Sequence, residues 1–131
     1  QESMGGTETI LLVEDEESLR KLAFKILDKY GYFVIEATDG MDALEIVNRE
    51  DHPAIDLLLT DVIMPKMGGK ELSEKLLLKY PKAKVLYISG YTDNAIVNHG
   101  VLDEGVSLLQ KPFSAQSLTQ KVRDLLDKSQ G

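Results

Sequence analysis

The sequence predicts an α/β fold, a single doubly wound sheet of five parallel strands covered on both faces by five helices. Three observations lead there. Short apolar runs alternate along the chain with segments whose apolar residues recur every three or four positions. Two of the runs, TILLV and DLLLT, are almost continuously apolar, as strands buried on both faces must be. Parallel strands joined by helices cross over with one hand, which winds the helices onto both sides of one sheet.

Each element follows in order. Thr9 to Val13 is the first strand. Leu19, Leu22, Ala23, Ile26, Leu27 and Tyr30 then mark one face of a helix, and Gly31 stands at the C′ position where helices stop. Tyr32 to Ala37 (YFVIEA) is the second strand. Asp39 is placed to cap a second helix that buries Ala43, Leu44 and Val47. Asp56 to Thr60 is the third strand, ending at Asp61. A helix over Gly69 to Tyr80 runs through Leu72, Leu76 and Leu77 until Pro81 stops it. Lys84 to Ser89 (KVLYIS) is the fourth strand, and Asp93 to Asn98 leaves room for a short helix before Gly100. Val106 to Gln110 (VSLLQ) is the fifth strand. Leu118, Val122, Leu125 and Leu126 lay a last helix on the sheet.

At 131 residues the chain is the size of one domain. Gln1 to Gly6 (QESMGG) is polar and glycine-rich and reads as a linker or remnant. The expected layout is linker 1–7, domain 8–128 and tail 129–131. No repeat or low-complexity tract interrupts the domain. Hydrophobic residues make up 43% and charged residues 28%, so disorder is not expected. No apolar run approaches the ~20 residues of a membrane span, and no signal peptide is visible. The absence of cysteine excludes disulfides, thiolate metal sites and cysteine nucleophiles. A formal charge of −7 disfavours autonomous binding to nucleic acid and suits a cation or a partner with a basic face.

In doubly wound sheets, ligands bind beyond the C-terminal strand ends. Here those ends carry Glu14, Asp15 and Glu16 after the first strand, Asp61 after the third, Ser89 and Gly90 after the fourth, and Lys111 and Pro112 after the fifth. Clustered carboxylates without cysteine or paired histidine favour a hard divalent ion that keeps its waters, which describes Mg²⁺. A carboxylate set between that ion, an ammonium and a hydroxyl makes a good phosphoryl acceptor. Asp61 would be the nucleophile and Lys111 and Ser89 its supports.

The motifs LLVEDE (11–16), DVIMPKMGG (61–69), ISGYT (88–92) and LQKPF (109–113), in this order, resemble the receiver domain of two-component response regulators. The resemblance spans Glu8 to Lys128 and implies a flavodoxin-like sheet of strand order 2-1-3-4-5. It implies that Asp61 is the phosphoacceptor, with Ser89 as switch hydroxyl and Lys111 as the paired lysine. Asp15 and Asp61 match the family's direct Mg²⁺ ligands, Glu14 a ligand through water, and Ile63 a ligand through its backbone carbonyl, with Mn²⁺ as a substitute ion. The backbone of Val62, Ile63 and Gly90 would meet the phosphate, and the bond to Pro112 would be cis. Tyr91 would sit at the pocket rim. The family commonly has an aromatic switch three residues before the lysine, where this chain has Leu108.

The same resemblance implies a histidine kinase or a histidine phosphotransfer domain as partner, with no direct nucleic-acid or membrane contact, and a monomer or weak dimer. It implies a cytoplasmic phosphorelay component rather than an enzyme. The stretches GTETILLVEDE (6–16) and SGYTDNAIVNHG onward (89–100) look like the C-terminal receiver of a hybrid sensor kinase, which is membrane-anchored in some cases. The segment from Asp93 to Asn98 is the expected mobile element, and the surface around the fourth and fifth strands the expected switch.

Two other function classes remain as contrasts. A receiver-like module that docks partners without phosphorylation would not need the intact acid set. A phosphatase with an aspartate nucleophile would carry a second aspartate at the position of Ile63. Taken singly, the acids at 14–16 suit a helix N-terminus and Asp61 suits a turn. Met64 and Met67 suit either local packing or a docking surface. His52 and His99 read as loop or helix-end residues.

Overall fold

The computed structural model describes residues 5–49, 51–64, 66–90 and 106–128. Five strands form one sheet: β1 (Thr9–Val13), β2 (Phe33–Ala37), β3 (Leu57–Asp61), β4 (Lys84–Ser89) and β5 (Leu108–Gln110). All pairings are parallel, in the order β2-β1-β3-β4-β5. Four helices lie among the described residues: α1 (Glu17–Lys29), α2 (Gly40–Asn48), α3 (Gly69–Lys79) and α4 (Ala115–Leu126). The helix expected over Asp93 to Asn98, together with Tyr91 and His99, falls outside them.

The two faces of the sheet sort by strand period. Ile10 and Leu12 of β1, Leu57 and Leu59 of β3, and Leu86 and Ile88 of β4 face α1 and α4, meeting Ala23, Leu27, Leu118 and Val122. Leu11, Val13 and Leu58 face the other way, toward α2 and α3 and their Ala43, Val47, Leu72 and Leu76. β1 and β3 are buried along their whole length, so both faces of these central strands are dry. Removing one of these leucines to alanine would cost about 2–5 kcal/mol.

The helix ends follow their chemistry. The Asp39 side chain accepts from the Asp42 N–H at 2.8 Å and starts α2. Ser114 and Ser117 exchange side-chain and backbone bonds of 3.0 and 2.9 Å, a capping box that starts α4. Gly31 follows α1 with φ of +99°, the left-handed C′ position.

Some boundaries shift. β3 runs through Asp61, so that residue is the last of the strand, paired with Ile88, and not the first beyond it. β2 starts at Phe33, and β5 is reduced to Leu108–Gln110 as an edge strand. Of the predicted α1 face, Ala23 and Leu27 are buried, but Leu22 is 46% exposed. α1 packs between β2 and α4, and Leu22 lies on its shoulder, outside the strip they cover.

A carboxylate pocket at the C-terminal strand ends

β1 and β3 are neighbours at the centre of the sheet, and their C-terminal ends deliver Glu14 and Asp61 side by side. With Asp15 they bring one carboxylate oxygen each to within 4.8 Å of one another. Glu14 and Asp61 are buried, while Asp15 faces outward. The residue that follows β5 supplies the one cation of this pocket among the described residues. Lys111 Nζ lies 3.1 Å from Asp61 Oδ1 and 3.6 Å from Glu14 Oε1. Its backbone N–H donates to the Ser89 carbonyl at 2.8 Å, which fixes β5 to β4 at the pocket. The Lys111–Pro112 peptide is cis. Asp61, Ile63, Ile88, Ser89, Gly90 and Lys111 line a cleft of 220 Å³ above the acids.

The charges here are under-compensated. Glu14 Oε2 accepts the Glu16 N–H at 3.0 Å, but Glu14 Oε1 and Asp61 Oδ1 are buried and accept no hydrogen bond among the described residues. Burial, and then the neighbouring Asp61, push the Glu14 carboxyl up to about 8. Burial also raises Asp61, against the pull of Glu14 and Lys111. Burial works against the charge of Lys111 too, yet Asp61 and Glu14 hold its ammonium above the ordinary value. Two buried carboxylates, each with an oxygen that accepts no hydrogen bond among the described residues, beside the exposed Asp15 carboxylate are the donor set a hard cation would complete.

The loop after β3 positions Asp61. A methyl group on Gly69 would collide with the Asp61 carbonyl, so the start of α3 can pass beneath it only as glycine. The Gly69 N–H donates to the Val62 carbonyl at 2.8 Å. Lys66 turns the loop with φ of +70°. Met64 and Met67 are buried in the core between sheet, α2 and α3, so packing accounts for both. Ile63 is the exposed member, at 58%.

The expectation for Val62 needs correction. Its N–H donates to the Ile88 carbonyl at 3.0 Å, because the β3–β4 hydrogen bonding continues one residue past Asp61. That amide is committed to the sheet and cannot also bind a phosphate. Ser89 is buried at the end of β4. Gly90 is exposed, and a side chain there would meet nothing within 4 Å among the described residues. Leu108 packs with Val62 and Tyr87. The aromatic ring in this cluster therefore comes from β4, and its hydroxyl pairs with Ser73 of α3 at 2.7 Å.

Two residues given no role in the motif reading contact the backbone beside the site acids. Gly69, at the end of the second motif, lies against Asp61 and Val62. Arg20 is the other: its guanidinium donates to the Glu14 carbonyl at 2.9 Å and to Glu36 at 3.2 Å. A long cation one turn into a helix points back toward the helix start, a signal that apolar periodicity ignores.

Comparison with known proteins agrees with this geometry. Residues 10–123 match the family model described as the response regulator receiver domain. The chain is 37% identical over 125 residues to the sensor kinase CckA of Brucella abortus, covering 95% of this chain but only 13% of the kinase. It is 32% identical to the response regulator receiver protein CpdR of the same organism, covering 89% of this chain and 95% of that protein. The crystal structure of the receiver domain from hybrid histidine kinase CckA superposes with a TM-score of 0.75 at 39% identity, covering 91% of this chain and 99% of that one. The response regulator receiver protein of Sinorhizobium medicae does so at 0.77 and 29% identity, covering 92% and 95%. This chain is a member of the response regulator receiver domain family of two-component signalling.

Proposed function

We propose that Asp61 accepts a phosphoryl group from a phosphohistidine on a histidine kinase or histidine phosphotransfer domain. The observation that carries this is the buried Asp61 carboxylate, ion-paired with Lys111 at 3.1 Å, with both residues lining an open cleft. A carboxylate oxygen of Asp61 attacks phosphorus, the P–N bond breaks, and the imidazole keeps the bonding pair and takes up a proton. Lys111 offsets charge on the phosphoryl oxygens, and the Ser89 hydroxyl and the Ile63 and Gly90 amides donate to them.

The donor set fits Mg²⁺, with Mn²⁺ as a substitute. Asp15, Asp61 and the Ile63 carbonyl would hold the ion directly and Glu14 through water, and the bound ion would neutralise charge on the transferring group. The aspartyl phosphate then draws Ser89 inward and biases the surface around β4 and β5. The similarity to CckA supports a parent chain with a kinase core ahead of this domain. Within such a chain the layout is linker 1–7, receiver 8–128 and tail 129–131, and the receiver catalyses only its own phosphorylation and dephosphorylation. No described helix is long and apolar enough to cross a membrane.

The test is to incubate the protein with a small phosphodonor and Mg²⁺ and weigh it. One phosphoryl group per chain is expected, absent in Asp61→Asn. Undiminished phosphorylation of that variant would sink the assignment.

A further inference from the structure

We propose that Arg20 is a positioning residue for the cation site, holding the acidic loop by the Glu14 backbone. This rests on the metal reading of Glu14, Asp15 and Asp61 above.

The β1–β2 ladder ends with Val13 opposite Ala37. Glu14 continues it by one bond, donating its N–H to the Ala37 carbonyl at 3.2 Å. The Glu14 carbonyl then meets Arg20 Nη1 at 2.9 Å. Both backbone polar groups of Glu14 are thus pinned, one to β2 and one to α1. This decides where the Glu14 carboxylate points and how Asp15 leaves the strand.

Arg20 is itself held. Its Nε lies 3.2 Å from Glu36 Oε1 on β2, and its side chain is only 11% exposed. One rigid fork therefore joins α1, β2 and the acid loop, which a flexible ammonium does not reproduce. Glu36 also offsets the guanidinium charge, so the clamp does not leave an unmatched cation beside the site a cation would occupy. Contacts behind metal-binding groups commonly set affinity by about 10–100-fold without touching the ion.

The experiment is calorimetric titration of Mg²⁺ into the full chain and into Arg20→Gln, Arg20→Lys and Lys21→Gln, at a temperature where circular dichroism shows each folded. The Mg²⁺ Kd should rise by about 10-fold in Arg20→Gln and by nearly as much in Arg20→Lys. It should stay within about twofold in Lys21→Gln, which removes the other cation near Glu36 but leaves Glu14 held. Where Arg20→Gln fails to fold, Arg20→Lys carries the measurement. An unchanged Kd in the folded Arg20 variants overturns the positioning role, as does an equal loss in Lys21→Gln. A wild-type chain that takes up no Mg²⁺ overturns the metal reading itself.

Discussion

Two ionic clusters sit at opposite edges of the same sheet, and they are built to opposite rules. At the N-terminal edge, Arg123 of α4 reaches Glu8 at 2.7 Å, Asp127 at 2.8 Å, the Tyr32 hydroxyl at 3.3 Å and the Gly5 carbonyl at 3.0 Å. All three guanidinium nitrogens are engaged. At the C-terminal edge two buried carboxylates share one lysine beside the exposed Asp15, and one oxygen of each accepts no hydrogen bond among the described residues. The bond from Arg123 holds the Glu8 carboxyl below its ordinary range, whereas burial lifts Glu14 to about 8. The first cluster fastens the fold; the second strains against it. A satisfied network is a staple, and an unsatisfied one beside an open cleft marks where a ligand completes the protein.

The contrast is broken most severely at Asp61. Asp61→Asn should reduce phosphate incorporation to background by mass. In metal-free buffer the same variant should be more stable in urea by about 1–2 kcal/mol, because a buried like charge is gone. The reverse pattern belongs to Arg123→Ala, which should lose about 2–3 kcal/mol in the same titration, since several charge-assisted bonds go at once. Its phosphorylation rate at low temperature should be unchanged. A fall in that rate would show that the two edges are coupled.

pH sharpens the comparison further. The Glu14 carboxyl ionises near 4.5 when unfolded and near 8 when folded. Its proton is therefore held more tightly by the native state, and native stability falls as pH rises across that window. With chelator present, the melting temperature should drop from pH 6 to pH 9, and Mg²⁺ should restore more of it at pH 9. The smallest effect is at Glu8, whose folded value is depressed. Its contribution is present above the unfolded value and lost as pH falls through the folded one. Glu8→Gln should lower stability at neutral pH by well under ~1 kcal/mol, screened by solvent, and the deficit should vanish in acid melts.

The sheet and the strand-end acids were legible because period and placement carry them, whereas the strand order came with the motif resemblance. Strands buried on both faces are apolar, and whatever polar residue follows each one must lie on the same edge. Other features need long-range geometry. Leu22 obeys the helical period yet is exposed, because the period says nothing of how wide a strip β2 and α4 cover. Val62 follows the acceptor in the motif, but one further sheet bond claims its amide. Met64 and Met67 suit packing or docking by residue type alone, and the core they join decides for packing. Arg20 and Gly69 act on backbone atoms of other residues, and a backbone contact leaves no trace in side-chain chemistry. Ser73 of α3 and Tyr87 of β4 meet through their hydroxyls, a pairing that only the packing of helix on sheet reveals.

The grip of Arg123 on the Gly5 carbonyl has a mechanical side. Gly6 also donates its N–H to the Tyr30 carbonyl at the end of α1, at 3.1 Å. A pull on the chain at Gly5 is therefore shared by α4 and the close of α1 before any of it loads β1. These bonds stand in front of the strand as a strain relief stands in front of a cable. Tension from an attached segment would spend itself at the N-terminal edge, the five residues of β1 away from Glu14, and leave the acid loop at rest.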